Sequence, residues 1–510
     1  MLKLMLIAFV LIQPVFDCYY FYTEQLASVI GFTVPPLLAV AWLGAMLVLY
    51  FVSDFSHFKK KTSVILFSYL AVCLAYFVIH HLTNVDFKSV GPDDYGYSIF
   101  NEAYYVIRIL IPYFIVFLTY ELSLSKEEFY RCIESLCVVI TSVIVISNLL
   151  CVSLSSYTNE TISANIFSWF AHMDDYNAKE LTSKGFFCYA NQTAGLTMLL
   201  FPILLYRMVV KFKPWRVILA AAQAVAMIML GTQTSSYGVI LEIVVFAAVM
   251  IFSAIILKQF NRDSLMRRRK VIVSFCLVAI IAGGLLPFSP VISKQAATTK
   301  LQADRAKVEK SLKVKKNEAY YQLSFDDRVK YMNKNFEKYS LQWSFSKVAY
   351  PLDYDPDFWY EMMKLPIQQR FEFRFVETSI MDAVKATNDD PMDKWFGISA
   401  TREANICKIE RDYLAQYYSM GIVGVIVFFA PLVLFAAYIS LRCLFRKNWD
   451  NIFENLTLAM SLDIVLAIGY VTGNCLDVLF TTVIVGLLCG RILLNMRDDK
   501  KNRTEALPIE

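Results

Sequence analysis

Two arginines and a glutamate in one polar stretch are the side chains best suited to carry chemistry. Arg370 and Arg374 are four residues apart in a segment with helical patterning, which would place both guanidinium groups on one helix face. Two cations on one face repel each other unless an anion lies between them, or unless they pair with Glu372, Glu377 or lipid phosphate. Glu410 is a candidate general base, and the alternative for it is a solvated helix surface. Three further charged residues complete the cluster: Arg402, Arg411 and Asp412.

Arg108 is a charged residue inside an apolar segment, where such residues are costly and therefore functional by default. Its guanidinium cannot lose its proton and must find an anion, and its planar shape suits a diphosphate. The alternatives are an internal salt bridge with Glu102 or Asp463, or snorkelling of the side chain to the interface. Asp463, Asp477 and Glu242 also lie in apolar segments, and we interpret them as structural partners or boundary residues.

The sequence lacks the signatures of soluble enzymes, such as a phosphate-binding loop, a dinucleotide-binding glycine turn, paired Cys-x-x-Cys or His-Glu-x-x-His. None of its 4 histidines lies in residues 293–418, so a histidine-rich metal site is excluded there. Of its 11 cysteines only Cys407 lies in that stretch, which therefore has no disulfide of its own. This cysteine usage favours a bacterial plasma membrane over a eukaryotic secretory one.

The elements that position these residues must lie in lipid. Of the 510 residues, 57% are hydrophobic and 18% charged, whereas soluble domains have about 45–50% and about 25%. The apolar residues form about twelve blocks of roughly 20 residues, the length of a helix that crosses about 30 Å of hydrocarbon. The predicted spans are 4–22, 31–53, 62–83, 104–122, 132–154, 186–206, 216–232, 237–257, 271–292, 419–441, 453–472 and 476–496.

The distribution of lysine and arginine over the short loops fixes the orientation of the spans, because loops rich in these residues remain on the cytoplasmic side of the membrane. They fall in every second loop and in the tail: 59–61, 126–131, 207–216, 258–270, 442–447 and 497–503. Both termini are therefore predicted to be cytoplasmic. The net charge of +5 then reflects topology and contact with anionic lipid, not nucleic-acid binding.

These patterns predict an all-α polytopic membrane protein with about twelve transmembrane helices. Residues 1–292 hold transmembrane helices 1–9, residues 293–418 form one large, mainly helical extracytoplasmic loop between spans 9 and 10, residues 419–496 hold transmembrane helices 10–12, and residues 497–510 form a cytoplasmic tail. The loop opens with a lysine-rich stretch, 300–338, that suits a helix near the membrane surface. Its aromatic residues between Tyr320 and Tyr360 are interpreted as interfacial anchors in preference to sugar-stacking platforms.

Four segments share their order, spacing and sidedness with the motifs of one protein family. Residues 184–191, Lys-Gly-Phe-Phe-Cys-Tyr-Ala-Asn, begin a predicted span, and residues 230–235, Leu-Gly-Thr-Gln-Thr-Ser, form a small polar turn between two spans. The large loop holds Arg374 with residues 393–399, Asp-Lys-Trp-Phe-Gly-Ile-Ser, and residues 410–413, Glu-Arg-Asp-Tyr, which are followed by Gly421 and Gly424. From about residue 60 to the C-terminus, the chain resembles the O-antigen polymerase/ligase family of bacterial membrane glycosyltransferases.

The resemblance implies a metal-independent transferase without cofactors, whose donor is a glycan on a polyprenyl diphosphate and whose acceptor offers a glycan hydroxyl outside the plasma membrane. Preorganised arginines stabilise the departing diphosphate more in the transition state than in the ground state. By the resemblance, Arg374, with Arg370 and Arg108, would hold that diphosphate. Glu410 stands where ligases tend to have histidine, so it would orient or deprotonate the hydroxyl and favours a polymerase over a lipopolysaccharide ligase. The further substrate-binding candidates are Asn191, Arg402 and Arg411.

The expected partners are this donor and acceptor, membrane lipids, and proteins of polysaccharide export or chain-length control. The alternative is a flippase or exporter of the same lipid-linked glycans, which needs the same anion-binding groups along a central cavity. No internal repeat or matching pair of interrupted spans is visible in the sequence, which weighs against a transporter. A non-catalytic scaffold of the cell envelope is the third interpretation, and it predicts that single arginine or glutamate substitutions are silent.

Overall fold

The computed structural model describes residues 1–22, 34–91, 94–255, 265–311, 319–445, 451–473 and 475–506. Their secondary structure is helical, and the one β interaction among them is an isolated bridge between Leu154 and Thr161. The long helices are Leu2–Tyr22, Val34–Ser53, Lys61–Thr83, Ile99–Glu121, Lys126–Leu149, Ala190–Val210, Pro214–Met229, Gln233–Ile255, Leu265–Leu285, Pro290–Ser311, Ala430–Phe445, Ile452–Val471 and Leu479–Ala506. The shorter ones are Ser168–Ala171, Phe325–Asn335, Pro356–Lys364, Ile367–Phe371, Phe373–Asn388, Asp393–Phe396, Ala400–Ile406 and Asp412–Gly424.

Within the described ranges, 10 helical segments are long and apolar enough to cross a membrane. The prediction of an all-α polytopic membrane protein is confirmed. The predicted spans 4–22 and 216–232 correspond to helices outside this set, and the second of these, Pro214–Met229, has 16 residues where a span needs roughly 20. The count of about twelve spans stays a prediction. Parts of the predicted spans, basic loops and lysine-rich stretch lie outside the described residues: 31–33, 256–264 with Lys258 and Arg262, 312–318, Arg446 and Lys447.

One compact unit comprises Met1–Ser68, Ile107–Lys294 and Leu432–Glu510. At its centre lies the Ala190–Val210 helix, which is buried over almost its whole length. Its neighbours are the helices Ile452–Val471, Gln233–Ile255 and Pro214–Met229. A helix surrounded by other helices is apolar on all faces, and the sequence of this one therefore shows no polar stripe.

The second compact unit comprises Tyr69–Val106 and Gln295–Pro431. Tyr320, Tyr350 and Trp359 are at most 1% exposed and lie in its hydrophobic core. The interpretation of these three aromatic residues as interfacial anchors is wrong, because the unit buries them as the largest apolar side chains of its own core. Tyr321 and Trp343 are exposed, so the interfacial interpretation stays a prediction for them.

In the second unit, the turn at Gly397 packs directly against the helix break at Gly421. Gly397 (φ 76°) and Gly421 (φ 66°) both have the left-handed backbone that favours glycine. The N–H groups of the two residues after Gly397 donate to the carbonyls of Tyr418 and Ser419 at 2.8 and 3.0 Å. A Cβ atom at Gly397 would lie 2.4 Å from the Ser419 backbone, and one at Gly421 would lie 2.3 Å from the Trp395 backbone. The third and fourth motif segments therefore form one interlocked structure.

Candidate functional site

An ion pair brings together two of the predicted site residues, Arg374 and Glu410. Arg374 lies in the first turn of the Phe373–Asn388 helix, and Glu410 lies in the irregular segment before the Asp412–Gly424 helix. Arg374 Nε donates to Glu410 Oε2 at 3.1 Å, and the two side chains are 30% and 38% exposed. A ligand can therefore reach both side chains from outside the unit.

Arg411 and Glu377 extend this pair into a cluster of four charged residues. Arg411 Nη2 lies 3.5 Å from the Arg374 carbonyl oxygen, and its buried Nε has no hydrogen-bond partner in the described part of the chain. Glu377 is buried, and its Oε2 accepts a hydrogen bond from the Glu410 N–H at 3.2 Å. Burial raises the pKa of Glu377 to about 7, and the Glu410 charge adds to the rise, whereas the hydrogen bond and the two arginines oppose it.

From the sequence, Glu377 is only an alternative partner for the arginines, and its position behind Glu410 is not predicted. The available signal was its spacing, since a residue three positions after Arg374 lies on the same helix face. Nothing in that spacing indicates the contact with Glu410, which joins segments 33 residues apart. Arg374, Glu377, Glu410 and Arg411 thus form a cluster of four charged side chains from two segments.

Arg370 does not share a helix face with Arg374, so that expectation is wrong. The Ile367–Phe371 helix ends before Glu372, which has extended backbone angles (φ −84°, ψ 98°), and a new helix begins at Phe373. The Arg370 guanidinium is buried and forms an ion pair with Glu309, with Nη1 2.9 Å from Oε1. It also donates to the carbonyl oxygens of Leu365, at 3.0 Å, and Tyr339. Its predicted part in catalysis stays a prediction, and it would require this ion pair to open.

Arg402 is fully buried, and every N–H group of its guanidinium has an acceptor within the unit. Nη2 donates to the Asp94 carboxylate at 2.8 Å and to the Asn84 carbonyl at 3.0 Å. Nη1 donates to Asn84 Oδ1 at 2.9 Å and to the Ile398 carbonyl at 3.2 Å, and Nε donates to Asp94 Oδ1 at 3.2 Å. The guanidinium also lies 4.0 Å from the centre of the Phe87 ring. These bonds join residues 84–94 to the turn after Gly397, so the contacts of Arg402 are those of a structural residue.

A buried contact between His80 and Glu102 supports the same turn. Glu102 accepts hydrogen bonds from the first two N–H groups of the Ala400–Ile406 helix at 3.2 and 2.6 Å. His80 Nε2 lies 3.2 Å from Glu102 Oε2, and its Nδ1 lies 2.7 Å from the Phe396 carbonyl oxygen. Over the residues that the structure describes, no group of three or more His, Cys, Asp or Glu side chains is placed to hold a metal ion.

Arg108 and Asn191 lie in the first unit. Arg108 Nη2 donates to Asp477 Oδ1 at 2.6 Å, so its salt-bridge partner is Asp477 in place of Glu102 or Asp463. Asp477 thus has the structural role that was expected of it. Asn191 is half-buried in the first turn of the Ala190–Val210 helix. The segments 184–191 and 230–235 also adjoin here, since the Ser183 N–H donates to the Met229 carbonyl at 2.8 Å.

Almost the whole chain, including every candidate site residue, matches the model of one protein family. The family model described as O-antigen ligase like membrane protein matches residues 1–499. No curated protein matches the chain. The match includes all the charged residues described above and extends further towards the N-terminus than the four motif segments did. The resemblance inferred from those segments is confirmed.

Proposed function

The chain belongs to the O-antigen ligase like membrane protein family, and from this premise we propose that it polymerises or transfers glycans carried on a polyprenyl diphosphate. The family makes it a multi-pass membrane protein of the glycan ligase or polymerase type. We place the reaction at the outer face of a bacterial plasma membrane, with both termini in the cytoplasm. No nucleotide sugar is available outside the cell, so the lipid diphosphate must serve as leaving group.

The observation that carries the proposal is the exposed Arg374–Glu410 pair with Arg411 beside it. Of the four arginines in residues 293–418 that are site candidates, Arg370 and Arg402 are buried and donate to protein acceptors. Arg374 is partly exposed, and Arg411 has a buried Nε without an acceptor in the described residues. An anion beside Glu410 would therefore meet these two guanidinium groups first.

The reaction exchanges one bond at the anomeric carbon of the donor sugar. The bond from that carbon to the diphosphate oxygen breaks, and a bond to the acceptor hydroxyl oxygen forms. The diphosphate leaves with the bonding electrons, and Arg374 and Arg411 stabilise the negative charge that develops on it. Glu410 takes the hydroxyl proton. Direct attack by the acceptor inverts the anomeric centre.

The remaining predicted residues have supporting parts in this proposal. By the resemblance, Arg108 and Asn191 are further candidates for binding the donor, and Arg108 would then exchange part of its bond with Asp477 for the ligand. Glu410 in place of the histidine found in ligases favours polymerisation of repeat units. Proteins of polysaccharide export and chain-length control are the proposed protein partners.

The test uses purified protein in detergent or vesicles with a polyprenyl-diphosphate-linked repeat unit. We expect a ladder of longer products without added metal, and its loss in both Arg374→Ala and Arg374→Lys, because an ammonium group cannot replace a planar donor pair. Lys330→Ala is the matched control, since this cation is 76% exposed on a helix of the same unit. A full ladder from Arg374→Ala would refute the assignment. Transport of the intact repeat unit across vesicles without a ladder would favour the exporter.

The outer location has its own test. A membrane-impermeant maleimide added to intact cells should label Lys330→Cys, because the proposed topology places residue 330 outside. Labelling that requires lysis of the cells would contradict the topology and leave the reaction without its substrates. The unmodified protein provides the background, and its Cys407 is buried.

A further inference from the structure

Glu377 lies behind the candidate site and cannot itself contact a substrate. Its side chain is buried, with 5% of the residue exposed, while Arg374 and Glu410 are open to solvent. Its carboxylate accepts the hydrogen bond from the Glu410 N–H at 3.2 Å. Residue 377 therefore fixes the backbone that carries the general base, and any effect on the reaction acts through Glu410 and the neighbouring arginines.

The charged and titratable groups around Glu377 come from two segments. Arg374 lies on its own helix, and Glu410, Arg411 and Cys407 lie on the segment that packs against that helix. The other nearby carboxylates have partners of their own. Asp382 accepts from the Tyr418 hydroxyl at 2.6 Å, and Glu403 accepts from the Ile409 N–H at 2.6 Å.

These groups give the cluster a charge that depends on Glu377. Around Glu377, the guanidinium groups of Arg374 and Arg411 and the carboxylate of Glu410 together contribute a net positive charge when Glu377 itself is neutral. When Glu377 is ionised, its carboxylate cancels that charge from a position shielded from water. A buried charge is poorly screened, so a diphosphate bound at Arg374 and Arg411 would experience its repulsion.

We propose that Glu377 is a positioning residue whose protonation sets the affinity of the site for the donor diphosphate, while its hydrogen bond holds Glu410 in place. The inference rests on the proposed function and concerns the regulation of that site. Donor binding and protonation of Glu377 favour each other, since linkage between two binding events is reciprocal. Because the pKa of Glu377 is raised to about 7, the change in affinity begins near pH 6 and is steepest between about pH 7 and pH 8.

The first experiment measures KM and kcat for the lipid-linked donor from pH 6 to pH 8. In the wild-type protein we expect KM to rise about fivefold between pH 6 and pH 8, which is part of the full tenfold change that a one-unit rise of the Glu377 pKa on donor binding produces. In Glu377→Gln, the amide oxygen still accepts from the Glu410 N–H but carries no charge. Its KM should stay at the low-pH value of the wild-type protein. Asp382→Asn is the matched control on the same helix and should keep the wild-type rise.

A binding measurement separates failure of this inference from failure of the proposed function. P1,P2-dimethyl diphosphate is a suitable probe, because its charge does not change between pH 6 and pH 8. Calorimetry should show its affinity falling about fivefold over this interval in the wild-type protein and staying constant in Glu377→Gln. This result without any glycan product would support the anion site and refute the transfer reaction.

Two outcomes overturn the inference while the proposed function stands. One is an active wild-type protein whose donor KM does not change with pH. The other is a Glu377→Gln variant that keeps the wild-type pH dependence. If the probe does not bind at any pH, the inference is also refuted. The wild-type measurements decide the question even if the variant fails to fold.

Discussion

Replacement of Arg402 by methionine should unfold the second unit at a markedly lower temperature, because it removes bonds that nothing else can make. The change leaves three acceptors without their donor: Asn84 Oδ1, the Asn84 carbonyl and the Ile398 carbonyl. Asn84 and Ile398 are 2% and 0% exposed, so water cannot replace the guanidinium. Each buried acceptor left unsatisfied costs about 1–3 kcal/mol.

The total loss follows from these contacts. At the lower end of that range, the three acceptors cost about 3 kcal/mol. The contact with the Phe87 ring at 4.0 Å adds up to about 2 kcal/mol. Asp94 is 44% exposed and regains water, so it adds little. A loss of about 3–5 kcal/mol lowers the melting temperature by roughly 6–20 °C for a unit of this size.

The assay is thermal unfolding in detergent at one fixed scan rate, followed by tryptophan fluorescence, for which the buried Trp359 is a probe in the same unit. Arg411→Met is the matched control, because Arg411 makes one long contact to the Arg374 carbonyl at 3.5 Å. Its free energy of unfolding should lie within about 0.5 kcal/mol of the wild-type value, whereas its donor binding should be lost. If Arg402→Met melts like the wild-type protein and fails to bind donor, Arg402 acts on the substrate and the reasoning is refuted.

Three further substitutions test other parts of the structure by the same melting assay. Because the pKa of Glu377 is raised, the stability that its neutral form provides is complete below its ordinary pKa of 4.5 and is lost as the pH rises to about 7. Glu377→Gln should therefore be more stable than the wild-type protein at pH 8, by up to about 3 kcal/mol, and equally stable at pH 4.5. Equal melting midpoints at pH 8 would contradict this. Gly421→Ala should strongly destabilise the protein, because residue 421 has a positive φ and its Cβ would meet the Trp395 backbone. Gly283→Ala is the control, since a Cβ there would enter open space within a helix. Similar melting midpoints for the two variants would show that the helix break tolerates a Cβ. Glu309→Gln should lower the free energy of unfolding by about 3 kcal/mol, because it leaves Arg370 buried without its counter-charge. An unchanged melting midpoint would return Arg370 to the candidates for ligand binding.

The fold class and the central pair of the site were predictable from the sequence because both depend on short-range patterns. Apolar blocks of about 20 residues predict helices long enough for a membrane whatever their neighbours are. Arg374 and Glu410 were identifiable from motif spacing, and their ion pair shows that the two motif segments meet. These predictions did not require knowledge of how distant helices pack.

The partners of the other charged residues were not predictable, because each lies far away in the chain or depends on a local break. Glu372 interrupts a helix without a proline or glycine that would signal the break. Arg370 is 61 residues from Glu309, and Arg108 is 369 residues from Asp477. Spacing along one helix cannot choose among such partners, since only tertiary packing decides which carboxylate a buried arginine meets. The guanidinium groups that appeared equivalent in the sequence therefore divide into structural and exposed ones.

In the proposed reaction, Arg374 binds both Glu410 and the donor diphosphate. The competition between these two interactions links donor binding to the availability of the base. In the structure, its Nε donates to Glu410 Oε2 at 3.1 Å, so the guanidinium competes with an acceptor hydroxyl for this oxygen. A bound diphosphate competes for the same guanidinium and so releases part of that interaction. In this proposal, the Glu410 carboxylate is therefore available to the acceptor hydroxyl when the donor is in place. The backbone hydrogen bond to Glu377 keeps Glu410 in position while its side chain changes partner.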